Sequence, residues 1–152
     1  MTPEERLAEL GLTLPEVVSP LAAYVPALRS GDHVYVSGQV PIAEGKVLAE
    51  GKVGVEIDPE RAKELARVCA LNGLAALKSV VGDLSNVVRI VKIVGFVASD
   101  PGFSGQPQVV NGASELFAEV FGEAGRHARS AVGVSVLPLN VPVEVELIAE
   151  VR

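Results

Sequence analysis

Val141-Pro142-Val143-Glu144-Val145-Glu146-Leu147-Ile148-Ala149-Glu150-Val151 runs almost to the end of the chain with a period of two. Every odd position is apolar, while Glu144, Glu146 and Glu150 share the even face, as in a strand that buries one side. The preceding segment alternates as well, with Val132, Val134 and Val136 on one face and Arg129, Ala131, Gly133 and Ser135 on the other. A two-residue turn at Leu139-Asn140 would join the two runs as a hairpin, setting Ser135 opposite Glu144, Gly133 opposite Glu146 and Arg129 opposite Glu150. Both apolar faces coincide in that register, and a slip of one residue spoils both, so this pairing is expected. It leaves Arg129 and the glutamates on a face without helices, which is either solvated or covered by another chain.

Upstream, Val87 to Ala98 is β-branched on both faces, as expected of a central strand covered on both sides. Asp58 as N-cap, Pro59 and Gly82 bound a helix whose inward residues are Ala62, Leu65, Ala66, Cys69, Gly73, Ala76, Leu77 and Val80. A second helix is expected over Val109 to Phe121, with Val110, Ala113, Phe117 and Phe121 inward. The segment Ser99 to Gln108 before it, rich in Gly and Pro, reads as a loop. Leu21 to Ser30 and His33 to Ser37 read as strands about Gly31-Asp32, and Lys46 to Gly51 as a short edge strand. Thr2, Pro3 and Glu5 form a capping-box start for a short helix ending at Gly11. The order ββ(β)αβαββ describes an α+β protein with a mixed sheet and two main helices on one face, in a single domain over 1–152.

Composition narrows the chemistry. The 152 residues carry 13 Lys+Arg against 19 Asp+Glu, a net charge of −6, which argues against a nucleic-acid surface. One Cys and two His are too few for a zinc site of four such ligands, and a lone Cys closes no internal disulfide. No metal and no cofactor are expected, since neither a phosphate loop nor a dinucleotide fingerprint is present. The apolar runs are too short to span a bilayer, and the acidic start does not resemble a signal peptide, so no membrane partner and a cytoplasmic, reducing location are expected. Cys69 falls on a buried stripe and reads as structural. Ser104 lacks the spacing of a nucleophile elbow, and His33 and His127 read as surface groups. Arg129, at the start of a strand of small residues, either grips a carboxylate bidentately or is a rim charge.

Ala128-Arg129-Ser130-Ala131-Val132-Gly133-Val134, Leu137-Pro138 and Val143-Glu144-Val145-Glu146 together resemble the C-terminal signature of the RidA-like (YjgF-type) enamine/imine deaminases. Val36-Ser37-Gly38-Gln39-Val40-Pro41 resembles that family's second-strand motif, and Tyr24 and Asn111 fall where the family has functional residues. The resemblance implies a chorismate-mutase-like fold assembled as a homotrimer, sheets inside and helices outside, with sites in clefts between subunits. It implies that Arg129 binds the carboxylate of a 2-aminoacrylate-type enamine or imine, and that Glu144 positions or activates the hydrolytic water. Gly38 and Ala131 would contribute backbone groups, and Tyr24, Ser37 and Asn111 would line the pocket. The partners implied are a small carboxylate substrate and further copies of the chain. If Arg129 pairs with Glu150, about 20 Å separates it from Glu144 in one chain, and the two would meet only across a subunit boundary. The chain departs from better-characterised members in Ala131, where many carry cysteine, in a longer 99–108 loop and in the added helix of Met1 to Gly11. Three alternatives stand beside hydrolysis: a carboxylate-sensing module using the same arginine, an endoribonuclease or translation inhibitor, and a structural oligomer whose clefts are vestigial.

Overall fold

In the computed structural model, which describes residues 1–19 and 23–152, the apolar alternation of the C-terminal run decides the layering. Strand β7 (Val143–Val151) buries Val143, Val145, Leu147, Ala149 and Val151, while its even positions are half buried. Helix α2 (Pro59–Val81) covers this apolar face, and α3 (Gln106–Phe121) covers the neighbouring strands on the same side of the sheet. Each fully buried valine or leucine in such a layer contributes roughly 1.5–3 kcal/mol. The long helix begins and ends as its sequence dictates. Asp58 caps it by accepting from the Glu60 amide at 2.7 Å, and Gly82 closes it at a φ of 82°. The second starts three residues before the expected Val109, because Pro107 sits in the first turn, where its missing N–H costs no intrahelical bond. A short helix, α1 (Pro3–Glu9), carries the complete Thr2/Glu5 capping box and buries Leu7.

Five strands form the main sheet in the order β1 (Ala27–Ser30), β2 (His33–Gln39), β7, β5 (Val87–Ala98), β6 (Ala128–Val134). All neighbours are antiparallel except β5 and β6. The fold is the expected α+β one, with a mixed sheet. The first strand is shorter than expected, and Leu21 of that reading lies outside the described residues. The predicted edge strand at Lys46 to Gly51 shrinks to β4 (Lys46–Val47), which pairs with β3 (Ile42–Ala43) in a separate ribbon.

The expected C-terminal hairpin does not form. A parallel pair needs a crossover, and α3 supplies it, placing β6 beside β5; β7 then inserts between β5 and β2. Residues 135–142 wrap over the end of β5, whose Ala98 amide donates to the Pro142 carbonyl at 2.9 Å and whose neighbour Ser99 donates to the Val134 carbonyl at 3.3 Å. Leu139 and Asn140 do turn the chain, with φ of 61° and 56°, but over the strand end instead of into a hairpin. The faces of β6 change accordingly. Arg129, Ala131 and Gly133 stand beside Ile93, Gly95 and Val97, on the helix side. Val132 and Val134 lie with Phe96 on the open side. Small residues are placed there because α3 presses close: a Cβ on Gly95 would overlap Val110, and one on Gly133 would come 2.8 Å from Gln106 Nε2. Within the chain β5 is covered on one face only, where Ile90, Ile93 and Val97 are buried; Val94 and Phe96 on the other are half buried.

Candidate functional site

The residues singled out by the sequence fall into two groups. The first gathers around a bulge in β2. Val36 pairs with Leu147 and Gln39 with Val145, so Ser37 and Gly38 span three steps of β2 against two of β7. This brings Gly38 under the Glu144 side chain, so closely that a Cβ at position 38 would overlap Oε1. Ser37 ties the preceding segment in place, its hydroxyl donating to the Val25 carbonyl at 2.7 Å and its amide to the Pro26 carbonyl at 2.9 Å. Tyr24 is thereby held at the rim of a cavity of about 130 Å³ that Gly38, Val40, Pro138 and Glu144 also line. Asn72, buried on α2, fixes the next segment by donating to the carbonyls of Val40 at 3.0 Å and Ile42 at 2.9 Å. Burial pushes the Glu144 carboxyl above its ordinary range, and the charge of Glu146 adds to the shift.

The second group lies at the opposite edge of the sheet. Arg129 reaches under the first turns of α3, and its Nη1 donates to Asn111 Oδ1 at 2.7 Å and to Ser114 Oγ at 3.2 Å. Its Nη2 donates to the Pro107 carbonyl at 3.3 Å. Positions 107, 111 and 114 form an i, i+4, i+7 stripe on the helix, beside the apolar stripe that packs on the sheet. Three donor directions of the guanidinium are thus used within the chain, which leaves the Nε hydrogen and one on Nη2 for a ligand. Ala131 stands two residues further along the same face of β6, which is an edge strand with one row of backbone groups unpaired in this chain.

Arg129 and Glu144 therefore do not share a pocket in one chain, for a different reason from the expected hairpin spacing. Arg129 pairs with Ile93 and Glu144 with Phe96, three residues apart on β5 and on opposite faces of the sheet. The offset is about 10 Å along the strands and about 10 Å across them.

His127 is no surface group. Its Nδ1 lies 2.6 Å from the Gly125 carbonyl and its Nε2 2.9 Å from Ser114 Oγ, while the ring stands edge-on to Phe117 at 5.9 Å and 88°. Burial lowers its pKa, with the Arg129 charge acting in the same direction against a raising contribution from the Gly125 carbonyl. Neither Ser114 nor the placement of His127 emerged from the sequence. The available signals were the spacing of Ser114 three residues after Asn111, and of His127 two before Arg129, which puts both on the Arg129 side of their elements. Cys69 is buried, its thiol pushed up chiefly by burial, in keeping with a structural role, and Ser104 is exposed in the loop.

The family model described as "YjgF/chorismate mutase-like, putative endoribonuclease" matches residues 4–151. The chain belongs to this YjgF/RidA family. It is 41% identical over 147 residues to Protein TCP17 of Trypanosoma cruzi, covering 96% of this chain and 92% of that protein. A structure of Atu1372 from Agrobacterium tumefaciens, described as of unknown function, is 50% identical with a TM-score of 0.92, covering 99% of this chain and 92% of the other. A structure described as "a putative endoribonuclease" from Shewanella oneidensis MR-1 is 38% identical with a TM-score of 0.97, covering 99% and 100%. Both motif groups lie within the residues that match this YjgF/RidA family model. Among the described residues, no helix is long and apolar enough to cross a membrane.

Proposed function

We propose that this YjgF/RidA-family protein hydrolyses small 2-enamine or 2-imine carboxylates to 2-keto acids and ammonia, at sites where two subunits of a homotrimer meet. The observation that carries the proposal is the Arg129 guanidinium, pinned by three acceptors of α3 yet retaining two N–H groups at the sheet edge. The family structure of E. coli TdcF with bound serine, 27% identical with a TM-score of 0.61, supports a small amino-acid-like carboxylate as the ligand class. Assembly is supported by the open sheet face, where Val132 is 42% exposed and Val94 and Phe96 are half covered.

The chemistry asks little of the protein. The enamine tautomerises to the imine, water adds to the imine carbon, and the carbinolamine expels ammonia to leave the keto acid. Arg129 holds the carboxylate; Glu144, from the neighbouring subunit, takes a proton from the water as its oxygen bonds to carbon and returns one to the departing nitrogen. Tyr24, Ser37, Gly38, Asn111 and Ala131 shape the cleft. Nothing in this scheme requires a nucleophilic side chain, a metal or a cofactor.

Purified protein added to freshly generated 2-aminoacrylate should accelerate pyruvate release, and Arg129→Ala should lose that acceleration while keeping its assembly. Pyruvate binding without acceleration by the wild type would indicate a sensor instead. Cleavage of RNA would favour the activity named for several relatives, against which the net charge of −6 argues.

A further inference from the structure

We infer that Ser114 and His127 are positioning residues for Arg129, and that neutral His127 sets the direction of a hydrogen-bond chain that aims the guanidinium at its carboxylate. This rests on the proposed role of Arg129. The direction of the chain follows from which atoms can donate. The Gly125 carbonyl only accepts, so the His127 Nδ1 facing it at 2.6 Å carries the proton. In neutral imidazole the other nitrogen then has a lone pair, and Nε2, 2.9 Å from Ser114 Oγ, accepts the Ser114 hydroxyl hydrogen. That turns an oxygen lone pair of Ser114 toward Arg129 Nη1, 3.2 Å away. Donors therefore run in one sense from the guanidinium through Ser114 and His127 to the backbone.

The surroundings hold the ring in this form. Desolvation and the adjacent Arg129 charge both disfavour a second proton on His127. Phe117, fully buried, stands edge-on to the imidazole and fixes its plane. A doubly protonated ring would present a donor to Ser114, turning its hydroxyl hydrogen away from Nε2 and toward the space Arg129 Nη1–H occupies. With Asn111 Oδ1 as the second acceptor, Nη1 is saturated by the protein, so a ligand is offered the Nε and Nη2 edge alone. An arginine left to choose among rotamers would lose that selection, and its carboxylate would pay the ordering entropy on binding.

Pyruvate, followed by NMR titration, serves as the carboxylate probe, with 2-aminoacrylate hydrolysis as the kinetic readout. Ser114→Ala and His127→Phe, which keeps the aromatic packing, should each weaken pyruvate binding about tenfold and raise KM correspondingly. Their kcat should stay near the wild-type value, because the carboxylate is gripped equally before and during the reaction. Ser114→Thr and His127→Gln, whose Oε1 replaces the Nε2 acceptor, should restore most of the affinity. Imidazole 15N shifts of the wild type should report the Nδ1-protonated tautomer at neutral pH. The opposite tautomer, or unchanged affinity in folded Ser114→Ala when Arg129→Ala has lost binding, would overturn this inference and leave the proposed function standing. Unchanged affinity in Arg129→Ala would overturn the proposed function, and this inference with it.

Discussion

The carboxylate of Glu144 rests on the bare α-carbon of Gly38, a contact created by the bulge between Val36 and Gln39 in β2. No other residue type leaves the space that the Glu144 side chain fills, yet the backbone at Gly38 does not lie among the positive-φ glycines. The glycine is thus required by contact and not by conformation. Gly38→Ala should cost little stability, since the atom displaced is the free end of a flexible side chain. It should shift the carboxylate by about an ångström and lower kcat/KM by roughly 10- to 100-fold. Thermal melts and 2-aminoacrylate kinetics on one preparation check this; a wild-type rate would show that the position of Glu144 over Gly38 is immaterial.

Ionising Glu144 is disfavoured in the folded chain, first by burial and then by Glu146. The folded chain therefore holds this proton more tightly than the unfolded one. The associated stability is present below the ordinary carboxylate pKa and is lost as pH rises through the raised folded value. Glu144→Gln should accordingly melt at a higher temperature than wild type near neutral pH, with the two converging under acid conditions. In catalysis the ionised form is the proton acceptor, so the wild-type rate should climb across the same raised pKa. The glutamine variant should lack that limb and lose kcat more than affinity. Parallel pH series of melting and turnover separate the two effects.

How far these relationships were legible in the sequence depends on the range of the interactions involved. Asp58 and Gly82 bound α2 through contacts within one turn, and the Thr2/Glu5 box is equally local, so both could be read directly. Val87–Ala98 was readable because a long β-branched run has few other uses. The pairing of β6 and β7 was not. Alternation fixes which residues of a strand share a face, but not which strand lies beside it, and the hairpin register satisfied both apolar patterns. The competing arrangement wins because the crossover through α3 lets β7 find partners on both edges. Arg129 and Glu144 were visible through motif resemblance. Ser114 and His127 were not, because their roles arise where a helix crosses the end of a strand.

Gly112 marks where α3 meets α2, for a Cβ there would overlap the Lys63 carbonyl oxygen. The obstruction is backbone in the middle of a helix and cannot swing aside as a side-chain tip can. Gly112→Ala should push the helices apart at a cost of about 1–3 kcal/mol. Since Gly112 adjoins Asn111, the acceptor nearest Arg129, carboxylate affinity should fall together with stability. Urea unfolding and pyruvate titration of this variant check both outcomes, and wild-type stability would contradict the close helix contact.

Placement of Arg129 and Glu144 on opposite faces of one sheet makes a prediction that no single-chain site shares. In the proposed trimer each site draws its arginine from one subunit and its glutamate from the next. Arg129→Ala and Glu144→Gln homotrimers should each be nearly inactive, since every site lacks one group. Where the two variants adjoin in a mixed trimer, one boundary unites the intact arginine of the glutamine variant with the intact glutamate of the alanine variant. Co-expressing both chains should therefore recover activity that mixing the purified homotrimers, without subunit exchange, does not. If both groups acted within one chain, every subunit in the mixture would still carry a defect and no recovery would occur. Comparing turnover of the co-expressed and mixed preparations at equal protein concentration distinguishes the two arrangements without requiring either variant to bind substrate normally.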